Sequence, residues 1–334
     1  ALIEEFTAAG CGNCPTGHST VTVIENENPG QIVSIRYHRG TLSTPIGDDF
    51  DFRTDFSDVF ANLANAIGQQ LATVNRHLFS GQNTSQVYSQ WEASCLEIIE
   101  QNAVVNIGAT EVIDSSTNEL EIMVELYYTG TQTIPSNLLN IALLQNNIIS
   151  SQAVYTVPQP NDFLESGLYA HKHVFRHLIT GQWGISIHLN DGPFIDKKFN
   201  YSIPTHFRNI PVDLNNLDLA IFINEGENEV LNTISITPEF GTIESASNSD
   251  SENNSIKTFP NPASKYEQIT IETNSKNISQ INILDITGNI VYQDNFFYEK
   301  SAIQLNSSKF KSGIYLIQLI QGEKRISNQK LIIY

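Results

Sequence analysis

Two cysteines separated by two residues, Cys11 and Cys14, are the residues in this 334-residue chain whose type and spacing best support chemistry. They follow an apolar, strand-like run at residues 2–7 and precede a helical pattern from about Pro15 to Glu27. In oxidising surroundings such a pair forms a disulfide, and a helix N-terminus stabilises the first sulfur as a thiolate. The spacing therefore predicts either a redox-active site or a structural disulfide that holds the turn between strand and helix.

Cys95, the third cysteine, lies in residues 84–101, which are predicted to form a helix. Val87, Trp91 and Ile98 share its apolar face. A thiol on such a face packs in a core far more often than it reacts, so we expect Cys95 to be buried and unreactive.

His171 and His173 stand at alternate positions along a predicted strand and His177 lies a further even step along, so their side chains could face the same way. Imidazoles in this arrangement suit zinc or copper. Because the sequence places no cysteine or acid at ligand spacing beside them, we favour ordinary structural histidines and expect no metal or other cofactor.

Asp48, Asp49 and Asp51 form an acidic loop whose oxygen atoms would suit calcium in an extracellular protein. The loop lacks the glycine and the distal glutamate of an EF-hand. We expect a solvated acidic loop, and calcium binding is the alternative.

Alternating strands and helices must position the cysteine pair. The strand patterns are residues 2–7, 32–37 and 71–77, and the helical patterns are residues 15–27, 55–68 and 84–101. This order is typical of an α/β domain, to which we assign residues 1–103.

From Val104 onward apolar residues recur at every second position, most clearly in residues 120–126. Such alternation predicts strands with one buried and one wet face. Further strand patterns follow at residues 138–144, 173–178, 184–189, 217–223 and 230–237. We therefore predict an antiparallel β-sandwich over residues 104–242.

Residues 243–258 are rich in Ser, Asn and acids and have almost nothing to bury, which predicts a flexible linker. Short alternating strands with turn glycines at Gly288 and Gly313 then fill residues 259–334, which predicts a small β-sandwich. The predicted fold class is thus α/β plus all-β, in three domains.

The opening segment resembles the thioredoxin fold, with Glu5 and Phe6 in the first strand and the C-x-x-C motif at the start of a helix. The resemblance implies an exposed attacking thiolate at Cys11, a buried resolving thiol at Cys14, and proton exchange between Cys14 and the Glu5 carboxylate. Two departures argue against catalysis. Gly10 stands where tryptophan is frequent, and Leu71-Ala72-Thr73 stands where a cis-proline helps to hold substrate polypeptide.

Residues 1–240 together resemble the twenty-eight-kilodalton outer-membrane protein family, in which a short thioredoxin-like domain precedes a β-sandwich. The likeness is carried by residues 3–7, Cys14-Pro15, Val74-Asn75-Arg76, residues 169–176, Gln182-Trp183-Gly184 and residues 229–232. Members are envelope or surface proteins, so the resemblance implies location more directly than chemistry.

The last module is similar to the C-terminal sorting domain of type IX secretion cargo. The likeness covers nearly the whole module, and its motif positions are Pro260, Asn261, Pro262, Gly288, Gly313, Tyr315 and Lys330. It implies export across the outer membrane and recognition by the sorting machinery, followed by release or by attachment at the cell surface.

A formal net charge of −18, with only 18 Lys plus Arg, argues against nucleic acid or an anionic membrane as a partner. No apolar run approaches the roughly 20 residues that span a bilayer, so we predict a protein that is not transmembrane. The first residues lack the basic start of a signal peptide, so we expect any export signal to have been removed or not to be included. The predicted location is the extracellular face of a Gram-negative outer membrane, or the medium.

The leading interpretation is a non-catalytic binding or assembly subunit with a structural Cys11–Cys14 disulfide. Its sandwich would contact an outer-membrane protein complex or a surface glycan. The alternative is an extracytoplasmic thiol-disulfide oxidoreductase that uses Cys11, Cys14 and Glu5. The sequence leaves enzymatic activity open and favours its absence.

Overall fold

The computed structural model describes residues 1–79, 83–129, 136–155, 162–188, 194–243, 256–273, 278–285, 289–295, 302–322 and 324–334. They divide into two compact units, Ala1–Ile243 and Glu244–Tyr334. The structure is mostly β, and each unit contains sheets that pack against each other.

Strands and helices alternate at the start of the first unit. The elements are β1 (Leu2–Thr7), α1 (Cys14–Glu27), β2 (Val33–His38), α2 (Ser57–Leu63), β3 (Leu71–Val74), β4 (Ser85–Val87) and α3 (Tyr88–Ile99). β1 runs parallel to β2 and antiparallel to β3, and β4 is antiparallel to β3. The sequence thus predicted the α/β alternation correctly.

β1 and β2 are buried along their whole length, because both faces of the sheet are covered. One face packs on α1 and α3 through a cluster that includes Ile3, Val21 and Trp91. The other face contacts α2 through Phe6 and Phe60. The cysteine motif therefore follows the end of a buried strand that lies between β2 and β3 in the sheet.

The described residues of the rest of the first unit form mainly strands, with one short 3-10 helix at Leu214–Asn216. Its elements are β5 (Val105–Asp114), β6 (Glu119–Tyr128), β7 (Ser136–Gln145), β8 (Ile148–Ser150), β9 (Tyr169–His171), β10 (Val174–Leu178), β11 (Ile185–His188), β12 (Phe194–Ser202), β13 (His206–Phe207), β14 (Ile210–Pro211), β15 (Leu217–Glu225), β16 (Glu229–Ile236) and β17 (Glu239–Phe240). β6 alternates strictly between buried and half-buried residues, as its sequence period predicts.

A nine-stranded sheet runs through the whole first unit in the order β16-β15-β7-β10-β2-β1-β3-β4, with β11 also paired to β7. β10 joins β2 in parallel, with Val174 opposite Arg36. A second sheet, β12-β6-β5-β17, packs on the β7 and β15 part through one apolar cluster. The segments 1–103 and 104–242 thus share a continuous sheet within one compact unit.

The second unit consists of two small antiparallel sheets, β18-β19-β22 and β21-β20-β23-β24. Its strands are β18 (Ile256–Phe259), β19 (Gln268–Thr273), β20 (Gln280–Asp285), β21 (Ile290–Asn295), β22 (Ala302–Asn306), β23 (Gly313–Gln321) and β24 (Lys324–Ile333). Residues of both sheets, such as Ile271 and Ile317, share one core. Residues 244–255, most of the predicted linker, lie outside the described residues.

Two predicted helices are shorter than their apolar patterns. The helix predicted at residues 84–101 begins only at Tyr88, because Ser85–Val87 pairs with β3 and extends the sheet. The helix predicted at residues 55–68 ends at Leu63, and Asn65 turns the chain away with a φ of 53°.

Candidate functional site

Cys11 and Cys14 form a disulfide in the turn between β1 and α1. Cys14 is the first residue of α1, and its backbone N–H donates to the Cys11 carbonyl oxygen at 3.2 Å. Only 7% of Cys11 and 1% of Cys14 is exposed. Cys11, which the resemblance makes the exposed attacking thiolate, is therefore buried. We call residues 8–14 the disulfide loop.

Residues 151–155, which we call the strap, follow β8 and lie along the disulfide loop. The Ala153 N–H donates to the Ala9 carbonyl oxygen at 2.7 Å, and the Tyr155 N–H donates to the Gly12 carbonyl oxygen at 2.9 Å. The side-chain amide of Gln152 donates to the carbonyl oxygens of Ala8 and Cys11. These contacts cover the disulfide with a segment from the sandwich part of the chain.

Tyr155 also contacts the loop with its ring. A Cβ atom added to Gly12 would lie 2.4 Å from the Tyr155 ring, so the ring packs directly on the backbone between the two cysteines. Gly12 thus permits a contact that no larger residue allows.

Glu5, the predicted proton-exchange partner of Cys14, is a member of a buried ion pair. Arg36 Nε donates to Glu5 Oε1 at 2.9 Å, and Arg36 also donates to the His18 carbonyl oxygen. Burial raises the pKa of Glu5, and the Arg36 charge opposes that rise. The signal for this pair was an arginine between Ile35 and Tyr37 in a predicted strand, since a buried charge requires a partner.

His18, which no sequence motif singled out, lies one helical turn after Cys14 and is buried. Its Nε2 is 2.9 Å from Thr7 Oγ1 and its Nδ1 is 2.8 Å from the Tyr169 hydroxyl. Burial and the nearby Arg36 charge hold the pKa of His18 well below its usual value, so the ring is neutral. A histidine on the buried stripe with Val21 and Ile24 was the available signal.

The three histidines do not share one face of a strand, the arrangement that their spacing allows. The strand is interrupted after His171, because His173 adopts a φ of 53° and separates β9 from β10. His173 lies 3.7 Å from Glu25, whereas His177 stacks on Tyr201 and Phe207. Within the described part of the chain no three His, Cys, Asp or Glu side chains converge as a metal site would require.

His171 instead joins a buried aromatic cluster with His38 and Phe52, whose rings lie 4.5 to 5.6 Å apart. His171 Nε2 lies 3.2 Å from the Ser151 carbonyl oxygen, at the start of the strap. Burial lowers the pKa of His171 to about 3. Neither ring nitrogen of His38 has a hydrogen-bond partner among the described residues.

The acidic loop is partly neutralised by arginines. Asp51 accepts hydrogen bonds from Arg53 and lies 3.5 Å from Arg208, and the bonds from Arg53 lower the pKa of Asp51.

Cys95 is buried on α3, and burial raises the pKa of its thiol to about 12.

A second buried ion pair connects the start of the chain to the sandwich. Arg76 donates to both oxygens of Glu4 at 2.7 and 2.8 Å, and it donates to the Glu227 carbonyl oxygen. The neighbouring Asn75 donates to the Val230 carbonyl oxygen. These bonds and the β2–β10 pairing connect the two parts of the first unit, which contains both the disulfide loop and the strap.

The motif positions of the last module lie near its final strand. The side chain of Asn261 donates to the Lys330 carbonyl oxygen at 2.6 Å and accepts from the Ile332 N–H at 3.0 Å. Pro260 and Pro262 flank Asn261. Tyr315 in β23 donates to the Lys311 carbonyl oxygen, and Gly313 begins that strand. Gly288 lies outside the described residues.

Comparison with protein families gives two matches. A family model described as outer membrane protein Omp28 matches residues 57–239. A model of the secretion system C-terminal sorting domain matches residues 257–334. Among the described helices, none has the length and apolarity needed to cross a membrane.

An endo-acting ulvan lyase of Formosa agariphila is 36% identical over 78 residues, which are 23% of this chain and 14% of the lyase. The chain thus corresponds to only a small part of that enzyme.

Two solved structures of Porphyromonas gingivalis proteins are similar to this one. HBP35 aligns over 100% of this chain and 98% of its own, with a TM-score of 0.56 and 13% identity, a likeness of fold alone. A domain of the outer membrane lipoprotein Omp28 aligns over 42% of this chain and 93% of its own, with a TM-score of 0.29 and 15% identity.

Proposed function

The chain belongs to the outer membrane protein Omp28 family, and from this premise we propose that it is a non-catalytic binding or assembly subunit outside the cell. The family and the C-terminal sorting domain indicate a cell-surface or secreted protein, and the sorting domain implies the type IX secretion machinery as a partner. The proposal adds that the first unit contacts an outer-membrane protein complex, with a surface glycan as the other candidate.

We further propose that residues 1–103 form a thioredoxin-like domain and that residues 104–242 form the sandwich that carries it. The order β1-α1-β2-α2-β3-β4-α3 and the strand arrangement β2-β1-β3-β4 support this proposal. The cysteine motif at the start of α1 supports it as well.

The observation that carries the non-catalytic proposal is the closure of the strap over the disulfide. Thiol–disulfide exchange needs access of an attacking thiolate to a sulfur atom. Here both cysteines are buried, and the strap is bonded to the loop on both sides of Cys11, at Ala9 and at Gly12. A disulfide held in this way serves to fix the loop.

The environment of Glu5 supports the same proposal. Its carboxylate balances the charge of Arg36 inside the protein, and breaking a buried ion pair leaves an uncompensated charge at high cost. Because its charge is needed to balance Arg36, the Glu5 carboxylate is poorly suited to gain and lose a proton in each catalytic cycle. The segment Leu71-Ala72-Thr73, where the resemblance places a cis-proline that helps to hold substrate, contains no proline. The preceding residue, Gln70, has a φ of 61°.

The alternative function is thiol-disulfide exchange, which the C-x-x-C motif at the start of α1 favours. The two functions are separated by assaying the full-length protein for reduction of insulin by dithiothreitol, beside its Cys11→Ser variant. The proposal predicts that both proteins match the rate without protein. Turnover by the wild-type chain that Cys11→Ser abolishes would establish the oxidoreductase.

A further inference from the structure

A cleft of about 450 Å³ opens beside the disulfide loop, and its lining includes no residue of the disulfide or of the buried ion pairs. One wall is the loop itself at Ala9 and Gly10, and another is the turn after β2 at residues 41–46. Asp49 and Phe50 of the acidic loop and the beginning of the strap complete the lining. The volume lies within the range of known ligand sites.

The walls of the cleft are held in place by hydrogen bonds of the protein itself. The Gly10 N–H donates to the Leu42 carbonyl oxygen at 2.9 Å, and the Ala153 N–H donates to the Ala9 carbonyl oxygen at 2.7 Å. A Cβ atom on Gly10 would lie 2.7 Å from the Leu42 carbonyl oxygen, so this close approach requires glycine. A preformed cleft binds without the entropic cost of ordering its walls.

The acidic wall is also fixed. The side-chain amide of Asn209 donates to the Asp49 carbonyl oxygen at 3.0 Å, and its side-chain oxygen accepts from the Asp51 N–H at 2.8 Å. The two short strands around Asn209 thereby hold Asp49 and Phe50 at the edge of the cleft.

The chemistry of the cleft combines apolar surface with negative charge. Leu42 is 46% exposed and Ile46 is 83% exposed, although both are large and apolar. The carboxylate of Asp49 takes part in none of the ion pairs found among the described residues, and the same holds for its neighbour Asp48. A complementary ligand therefore carries an apolar group and a cation close together.

We propose that this cleft binds an extended polypeptide segment in which an apolar side chain neighbours a lysine or arginine. The inference rests on the proposed function and names the partner class of its binding subunit. The strap pairs with the disulfide loop through backbone hydrogen bonds, which is the contact mode an extended polypeptide uses. Among the described residues, Phe50 supplies the one aromatic ring of the lining, and this ring already packs against that of Phe52. The net charge of −18 adds long-range attraction for a cationic segment.

The test uses fluorescence anisotropy with the oxidised full-length protein and a short fluorescein-labelled peptide in which valine and lysine alternate. A valine–glutamate peptide and a valine–serine peptide of equal length serve as ligand controls. Ile46→Ser removes the exposed apolar side chain, and Asp49→Asn removes the charge without changing its shape. Ile67→Ser, at an isoleucine that is 89% exposed, and Asp196→Asn are the matched control variants.

We expect the valine–lysine peptide to bind and the valine–glutamate peptide not to bind. Ile46→Ser weakens binding about tenfold, which corresponds to the burial of one large apolar side chain. Asp49→Asn weakens binding of the valine–lysine peptide several-fold and leaves that of the valine–serine peptide unchanged, and this difference disappears at high salt. The two control variants bind like the wild type.

The proposal is overturned if no peptide binds, if both charged peptides bind equally, or if the control variants weaken binding as much as Ile46→Ser and Asp49→Asn. Insulin reduction measured on the same preparation distinguishes failure of the proposed cleft ligand from failure of the proposed non-catalytic function. If the wild-type protein binds no peptide and does not catalyse insulin reduction, only the cleft ligand is rejected. If it catalyses insulin reduction and Cys11→Ser abolishes that activity, the proposed function itself is rejected.

Discussion

The backbone N–H of Tyr155 donates to the carbonyl oxygen of Gly12 at 2.9 Å, between the two cysteines of the disulfide. Gly12 belongs to the first turn of the chain, whereas Tyr155 follows β8 in the sandwich part. The accessibility of the disulfide is therefore set by a segment distant in sequence.

Loosening the strap should expose the disulfide. In Gly12→Ala the new Cβ atom would meet the Tyr155 ring at 2.4 Å, and in Tyr155→Ala the ring is absent. We expect a phosphine reductant to reduce the disulfide of both variants several-fold faster than that of the wild type, as measured by alkylation and mass spectrometry. Gly68→Ala is the control, because no atom lies within 4 Å of its added Cβ. Equal rates in all four proteins would show that the strap does not protect the sulfurs.

Removing the charge of Glu5 should destabilise the first unit. Glu5→Gln leaves the Arg36 guanidinium buried without its counter-charge, and the expected loss in free energy of unfolding is about 3–5 kcal/mol. Glu121→Gln breaks the exposed pair with Lys198 and should cost less than about 1 kcal/mol. Urea unfolding followed by tryptophan fluorescence measures both. Equal, small losses would contradict the structural role of Glu5.

The sequence was sufficient to predict the elements with local signals. The apolar run of β1, the C-x-x-C motif and the alternation of β6 each appear within a few residues. The division of residues 84–101 between β4 and α3 was not predictable in this way, because pairing with β3 outweighs the helical pattern.

The candidate site was predicted only in part. Cys11, Cys14 and Glu5 were recognised, but Arg36, His18 and the strap were not. The strap has no local signature, since Gln152 and Tyr155 gain their roles only where they meet the disulfide loop. The common orientation that the spacing of the histidines allows is not found, because His173 interrupts the strand with a positive φ that alternation alone does not predict.

Replacing His38 by phenylalanine should stabilise the first unit. Both ring nitrogens of His38 are buried without a partner among the described residues, while the ring stacks on Phe52 at 4.5 Å. Phenylalanine keeps the stacking and removes two unsatisfied polar atoms, and the expected gain is about 1–3 kcal/mol. Thermal unfolding measures it, and His206→Phe, at an exposed histidine, is the control. A lower melting temperature for His38→Phe would indicate an unseen partner.

Acidification should unfold the first unit. Burial lowers the pKa of His18, His38 and His171, the last to about 3, so the folded state keeps these rings neutral. The unfolded chain protonates them near pH 6.5, and stability that is complete above about this pH is lost as the pH falls toward the folded pKa values.

A carboxyl group with a raised pKa offsets part of this loss of stability over part of the pH range. Burial raises the pKa of Glu111 to about 7, so in the window above the usual glutamate pKa, about 4.5, the folded state binds a proton that the unfolded state lacks. The decline should therefore be steepest below about pH 4.5, where that opposition ends. Urea midpoints across this range test the expectation, and His38→Phe should show a shallower decline. Stability that is constant down to pH 4 would be inconsistent with neutral buried histidines.

The most direct test of the structural disulfide is its reduction potential. The full-length protein is equilibrated in defined thiol buffers, and free Cys11 and Cys14 are trapped and quantified by mass spectrometry. Because the strap and the buried loop stabilise the oxidised form, we predict a potential below about −300 mV, typical of structural disulfides. A value above about −230 mV would mark a labile, exchanging disulfide and contradict the account.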